Sequence, residues 1–274
     1  MNLLATTSAV IAACAITATG VAAVGAVGAA GADGTPWGYK ANDTTLAAPD
    51  QWADHYPTCG GSRQSPIDIA VTAECTSEKR PLTFSGECGS YNISQSDESF
   101  TASVNGGSCS VSVNDASYDM LQFHMHVPSE HTLNGEYLGG EVHFVHSNTD
   151  GSALLVTGVF FKAVEGPTDP WVASMLDALD TVSANATAPA TLASYADLVN
   201  SAADAKGVFN YPGSLTTPGC DEIVDWWVVK KPVDVSTADL ERLQSQLREL
   251  HITDDGKNAR PVQPLNGRLI TSYL

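Results

Sequence analysis

The chain has 274 residues, with 13 basic and 31 acidic side chains and a formal net charge of −18. So large an acidic excess excludes the phosphate backbone of nucleic acid as a default partner. It predicts a well-solvated acidic surface, and the length beyond the first 32 residues suits one large domain with a substantial core.

Met1–Ala32 contains no Asp, Glu, Lys or Arg and ends in Ala30-Gly31-Ala32. It reads as a signal peptide with a small-residue cleavage site. The segment lacks the usual basic start and is long for such a leader, so an uncleaved N-terminal anchor is the alternative. Cys14 faintly resembles a lipoprotein acceptor, but the apolar residues after it argue against that. The expected organisation is a leader over 1–32 and one domain over 33–274. The protein would be secreted to an extracellular, periplasmic or lumenal space, touching a membrane only if the leader is retained. Oligomeric state and physiological role are left open.

Removing Cys14 leaves Cys59, Cys75, Cys88, Cys109 and Cys220, an odd set in a disulfide-permissive setting. Asn42, Asn92 and Asn185 each begin a glycosylation sequon.

Residues 33–62 combine Gly, Pro, Asp and Asn with Trp37, Tyr39, Trp52 and Tyr56, which predicts irregular structure pinned by large side chains. From about Leu82 the pattern alternates. Phe100–Val104, Ser110–Val113, Leu121–Val127 and Glu141–His146 read as strands separated by turn residues. Ala153–Phe161 is apolar enough for a central strand buried on both faces. Asp169-Pro170 reads as a cap and first turn, with Trp171, Met175, Leu176 and Leu179 on one helical face. Ser236 through Asp239 resembles a capping box, followed by the stripe Leu240, Leu243, Leu247 and Leu250. The fold class is therefore α+β, β-dominated, in a single domain.

Five of the seven histidines lie between positions 124 and 146. On a strand, His124 and His126 point to one face while Phe123 and Met125 point to the other. Asn134-Gly135 supports a chain reversal that can bring His143 alongside. Three convergent imidazoles suit a tetrahedral zinc with the fourth position left to water, whose pKa the metal lowers to about 7. Metal-bound histidines need their second ring nitrogen satisfied. Gln122 and Glu141, each two residues before a histidine, sit on the right face to do this. His131 and His146 read as structural, and His55 and His251 as surface residues.

These segments resemble the zinc-binding region of the α-carbonic anhydrases: Gln122-Phe-His-Met-His-Val, Ser129-Glu-His-Thr and Glu141-Val-His-Phe-Val-His. Trp37-Gly-Tyr, Gln64-Ser-Pro-Ile-Asp-Ile, Tyr211-Pro-Gly-Ser-Leu-Thr-Thr-Pro and Arg260-Pro-Val-Gln-Pro-Leu are similar to further signatures of that family, from about Trp37 to the C-terminus. The resemblance implies a large, twisted, mostly antiparallel central sheet with peripheral helices and the metal at the base of a conical cleft.

It also implies a lyase that hydrates carbon dioxide reversibly to bicarbonate and a proton through metal-bound hydroxide. Zn2+ would be held by His124, His126 and His143. Thr216 would accept a hydrogen bond from the hydroxide and donate its own proton to Glu130, orienting the nucleophile. Val145, Val156, Leu215 and Trp226 would line an apolar carbon dioxide pocket, with Thr217 on the polar side. The Asn258 carbonyl would orient His126, and Tyr39 could organise water. Sulfonamide and anion inhibitors are expected, as is weak esterase activity. The family's shuttle histidine has no counterpart in Ser96–Thr101. Glu98 or Ser99 falls near its place, and an ordinary Glu, with a pKa of about 4.3, moves protons poorly at neutral pH. Proton release is therefore expected to depend on buffer. Secreted relatives imply a Cys59–Cys220 disulfide bracing the Thr216 loop; the pairing of Cys75, Cys88 and Cys109 is left open. The alternative function is a non-catalytic carbonic-anhydrase-like binding domain, which the intact ligand set disfavours.

Overall fold

The computed structural model describes residues 34–70, 74–75, 81–95, 100–183 and 186–274. The leader, Ser96–Ser99 with Glu98, and the sequon at Asn185 lie outside the described residues. In chain order the strands are β1 (Asp68–Ile69), β2 (Glu74–Cys75), β3 (Thr83–Glu87), β4 (Ser90–Gln95), β5 (Phe100–Val104), β6 (Ser108–Val113), β7 (Ala116–His126) and β8 (Thr132–Leu133). They continue with β9 (Glu136–Tyr137), β10 (Gly140–Ser147), β11 (Leu154–Val164), β12 (Thr187–Thr191), β13 (Val208–Gly213), β14 (Val224–Ser236) and β15 (Thr271–Tyr273). The helices are α1 (Trp52–His55), α2 (Pro170–Leu179), α3 (Tyr195–Lys206) and α4 (Thr237–Arg248).

Twelve strands form one sheet, ordered β12-β4-β5-β7-β10-β11-β14-β13-β15-β2, with β6 pairing β7 and β3 pairing β6. Among the described residues only β11–β14 and β15–β2 pair in parallel within it. The parallel β11–β14 pair requires a long crossover, and the chain between them supplies α2, β12, α3 and β13. The domain is single and β-dominated, as expected. Among the described residues no helix is long and apolar enough to cross a membrane.

All eight residues of β10 and the first eight of β11 are buried, because both faces of the sheet centre are covered. On one face Phe123, Phe144, Leu155 and Trp227 pack with Trp171 and Leu176 of α2, Tyr195 and Val199 of α3, and Leu243 of α4. The other face carries Val145, Val156, Phe160, Tyr211, Trp226 and Val228 against Ile67 and Ile69. His146 belongs to the first face, where its Nδ1 meets the Leu155 carbonyl at 3.1 Å and its Nε2 meets the Tyr195 hydroxyl at 2.8 Å.

The caps read from sequence form as hydrogen bonds. Asp169 accepts from the Trp171 amide at 2.9 Å and Ser236 Oγ from the Asp239 amide at 3.1 Å. Helix α3 went unread, although Tyr195, Leu198, Val199, Ala202 and Ala203 are its buried stripe and Gly207 closes it at φ 87°. Residues 34–62 are mostly irregular, held by edge-on packing of Trp37, Tyr39 and Trp52, with one helical turn at α1 and a 3-10 turn over Pro57–Gly60. Among the described residues two disulfides are present, Cys59–Cys220 and Cys88–Cys109. The second ties the turn after β3 to β6, a pairing that sequence left open.

Candidate metal centre and active site

Register assembles the site. In the antiparallel β7–β10 pair, His124 lies opposite His143, His126 opposite Glu141, and Gln122 opposite Val145. Directly opposed residues share a face, so one face of two strands presents all three imidazoles and both flanking polar groups. The Val145 row continues through Val156, Trp226 and Tyr211 on β11, β14 and β13. Asn134 and Gly135, at φ 53° and 81°, turn β8 into β9 within a separate three-stranded sheet with β1. The reversal thus lies inside the connection that returns the chain to β10.

One ligand atom from each of His124, His126 and His143 lies within 4.8 Å of the others. Two of the remaining nitrogens are hydrogen-bonded, and the third faces a carboxylate without a hydrogen bond. His124 Nδ1 meets Gln122 Oε1 at 2.9 Å, and His126 Nδ1 meets the Asn258 carbonyl at 2.9 Å. His143 Nε2 lies 3.1 Å from Glu141 Oε1. Asn258 is locked in turn: its Oδ1 accepts from the Val127 amide and its Nδ2 donates to the Met125 carbonyl, both at 2.9 Å. Burial, with His126 and His143 close by, holds His124 well below the usual imidazole range, and burial also lowers His126.

Neutral imidazoles are the form that ligates a metal. His126 Nε2 is buried without a hydrogen-bond partner, and it faces Glu130 Oε2 at 3.5 Å. An all-imidazole set with one lone pair of each ring turned inward fits a zinc ion.

Glu130 is fully buried. Its Oε1 accepts from the Arg260 amide at 2.9 Å. Its Oε2 has no hydrogen-bond partner and lies 3.8 Å from His143 Nδ1. The expected hydrogen bond from Thr216 to Glu130 is not formed: one carboxylate oxygen is taken by Arg260 and the other faces the imidazoles. Thr216 is buried in the loop after β13.

That loop is tied down at several points. Cys220 donates its amide to the Thr217 carbonyl at 2.8 Å, Gln64 Nε2 donates to the Cys220 carbonyl at 3.1 Å, and Trp226 Nε1 to the Ser214 carbonyl at 3.0 Å. The Cys59–Cys220 disulfide fastens the same loop to the segment before Gln64. Arg260, buried over the Trp52 ring, donates to Gln64 Oε1, the Ser65 carbonyl and the Cys59 carbonyl.

Val145, Val156 and Trp226 are buried in one apolar cluster with Leu215 packed against it; Thr217 is half-buried. Tyr39 sits in the aromatic cluster with its amide on the Ile252 carbonyl at 2.8 Å, and burial, then the Glu130 charge, raises its phenol well above 10. His131 is indeed structural, but it also belongs to the site: its Nδ1 meets Glu141 Oε1 at 2.8 Å and its amide donates to Glu141 Oε2 at 2.9 Å.

Gly158 was missed. It lies opposite His143 on β11, and a Cβ there would stand 2.7 Å from Glu141 Oε1. A glycine inside an otherwise apolar strand is the signal that could have found it.

Residues 47–274 match the model of the eukaryotic-type carbonic anhydrase family. Carbonic anhydrase 1 of Mus musculus is 33% identical over 85% of this chain and 97% of its own length. Alpha carbonic anhydrase 7 of Arabidopsis thaliana is 30% identical over 88% and 86%. Among solved structures, the α-carbonic anhydrase of Thermovibrio ammonificans, in complex with the inhibitor sulfanilamide, superposes with a TM-score of 0.71 at 31% identity, covering 87% of this chain and 99% of that one. The register-built histidine face, its carboxylate partners and these likenesses agree: the chain belongs to the eukaryotic-type α-carbonic anhydrase family.

Proposed function

We propose that this carbonic anhydrase hydrates carbon dioxide at a zinc ion held by His124, His126 and His143. The observation that carries the reading is the triad itself: one nitrogen of each ring converges within 4.8 Å while Gln122, Asn258 and Glu141 stand against the other nitrogens. Bound zinc would supply a Lewis acid that makes hydroxide available near neutral pH.

The chain's own residues then position and exclude. Val145, Val156, Leu215 and Trp226 form an apolar wall suited to a small linear, nonpolar substrate. Glu130 Oε2, buried with no hydrogen bond, leaves an acceptor for the Thr216 hydroxyl, which would orient the nucleophile toward the substrate carbon. Thr217 faces the polar side. Ser96–Thr101 holds no histidine, so the product proton would leave to buffer. The two disulfides suit an oxidising compartment, in keeping with a cleaved leader. The likeness to a sulfanilamide-bound relative supports inhibition by sulfonamides.

The test is stopped-flow carbon dioxide hydration by zinc-loaded protein across a buffer series, with zinc content measured in parallel. Turnover rising steeply with buffer is expected. Fast turnover at low buffer would remove the buffer-dependence claim. Zinc bound without turnover would turn the reading toward a binding domain.

A further inference from the structure

Of the motifs the sequence singles out, the glycosylation sequons have no part in carbon dioxide chemistry, and the structure separates two of them. Asn42-Asp43-Thr44 lies in a loop whose ends are pinned together. The Gly38 amide donates to the Ala47 carbonyl at 3.0 Å, and the Ala47 amide to the Pro36 carbonyl at 2.8 Å. Trp37 and Ala47, which form an isolated bridge there, are buried with Leu46, while Asn42 and Thr44 are exposed. The loop meets its polar demand through Asp43. Its amide donates to the Lys40 carbonyl at 3.4 Å, and its Oδ1 accepts from the Thr45 amide and hydroxyl at 2.8 and 2.6 Å. Among the described residues the side chains of Asn42 and Thr44 make no hydrogen bond.

Asn92-Ile93-Ser94 is the opposite case. It lies inside β4, where Asn92 pairs with Pro189 of β12 on one side and Ser103 of β5 on the other. Asn92 Oδ1 accepts from Asn105 Nδ2 at 2.9 Å, and the Ser94 hydroxyl donates to the Thr101 carbonyl at 3.4 Å. Both side chains are half-buried, and Ile93 between them is part of the core. An N-glycan is bulky and solvent-seeking, so it belongs on a surface loop. A transferase also needs the asparagine amide and the hydroxyl of the third residue free. The first sequon offers both groups, and the second has committed both within the sheet.

We infer that Asn42 is an N-glycan acceptor, with an oligosaccharide carried on a lipid pyrophosphate as the donor, and that Asn92 is not. In the transfer Asn42 Nδ2 bonds to the anomeric carbon of the first sugar. The bond from that carbon to the pyrophosphate oxygen breaks, the lipid pyrophosphate leaves with the electron pair, and the amide gives up one of its two protons. The inference goes beyond the proposed carbon dioxide chemistry and rests on the secretory routing proposed with it. Asn42 belongs to neither the ligand set nor the apolar wall, so hydration does not depend on the glycan.

The test expresses the full chain, leader included, in a eukaryotic secretory cell line and purifies it from the medium. The three sequons fall on separate tryptic peptides, because Lys40, Arg63, Lys79, Lys162 and Lys206 divide them. Peptide mass spectrometry before and after N-glycosidase, which leaves Asp where a glycosylated Asn stood, reads each site. Glycan on Asn42 and none on Asn92 is expected. Asn42→Gln should remove one step from the ladder of partly deglycosylated forms, with wild-type carbon dioxide hydration, and Asn92→Gln should remove none. Thr44→Ala keeps Asn42 but deletes the sequon, and it should abolish the same step. Secreted protein with Asn42 bare overturns the inference, as does glycan on Asn92 or a sugar on Asn42 that survives Thr44→Ala. A chain retained unglycosylated in the cytosol overturns the routing, and the inference with it, while hydration by that protein still judges the enzyme reading separately.

Discussion

Replacing Gly158 with Ala tests whether the site depends on space as well as on polar groups. The added Cβ would stand 2.7 Å from Glu141 Oε1 and 3.7 Å from His143 Cδ2. Glu141 cannot retreat, because its Oε2 accepts the amides of Glu130 and His131 at 3.0 and 2.9 Å while its Oε1 holds His131 Nδ1. The Gly158 backbone is ordinary β-strand, so alanine pays no conformational penalty and by itself stiffens the unfolded chain, a gain of about 0.4–1 kcal/mol. Forcing a methyl into a filled core costs about 1–3 kcal/mol. The expected net loss is about 1–2 kcal/mol, with Tm falling about 2–4 °C per kcal/mol in a domain of this size. Because the displaced group is the carboxylate beside His143, zinc affinity should fall about 10–100-fold as well. Urea unfolding of the metal-free protein and chelator competition read the two effects separately. A Gly158→Ala protein more stable than wild type, with unchanged zinc affinity, would refute the reasoning, since only the unfolded-state gain would then remain.

Other expectations follow from single features of the fold. The Cys59–Cys220 disulfide spans a sequence separation of 161, and replacing both cysteines with serine should cost about 5 kcal/mol by the chain-entropy model; an unchanged urea midpoint would show that the unfolded chain is restrained by something else. Burial holds His146 down to about 4, against about 6.5 in the unfolded chain. As pH falls the unfolded state takes up this proton first, so stability is intact above 6.5 and is lost progressively toward pH 4, by about 3 kcal/mol to order of magnitude. His146→Gln should flatten that part of a urea-midpoint pH series, and an unaltered slope would assign the loss to other groups.

Local periodicity carried the sequence reading furthest. Two-residue alternation put His124 and His126 on one side of a strand, and Gln122 and Glu141 on the faces of their histidines, before any pairing was known. The caps at Asp169 and Ser236 were equally local. The missed helix α3 had a readable apolar stripe, so that failure lay in the reading and not in the information. The remaining site residues were identified by their likeness to family motifs. Sequence alone offered no reason to bring Asn258 or Arg260, each about 130 positions away, to His126 and Glu130.

What tertiary structure alone decided is register and space. His124 meets His143 because β7 and β10 pair in that alignment, and a one-residue slip would turn His143 to the opposite face. Pairing also chose Cys109 as the partner of Cys88, a contact between chain segments that no spacing rule specifies. Gly158 matters through the atom it lacks, and the buried hydrogen bonds that join Ser214, Ser65, Tyr211, His131 and Glu141 exist only where four separate segments converge. Side-chain alternation is a property of each strand by itself and is written in its residues. The relative placement of strands is settled by burying both faces of the sheet at once, and that is a property of the whole chain.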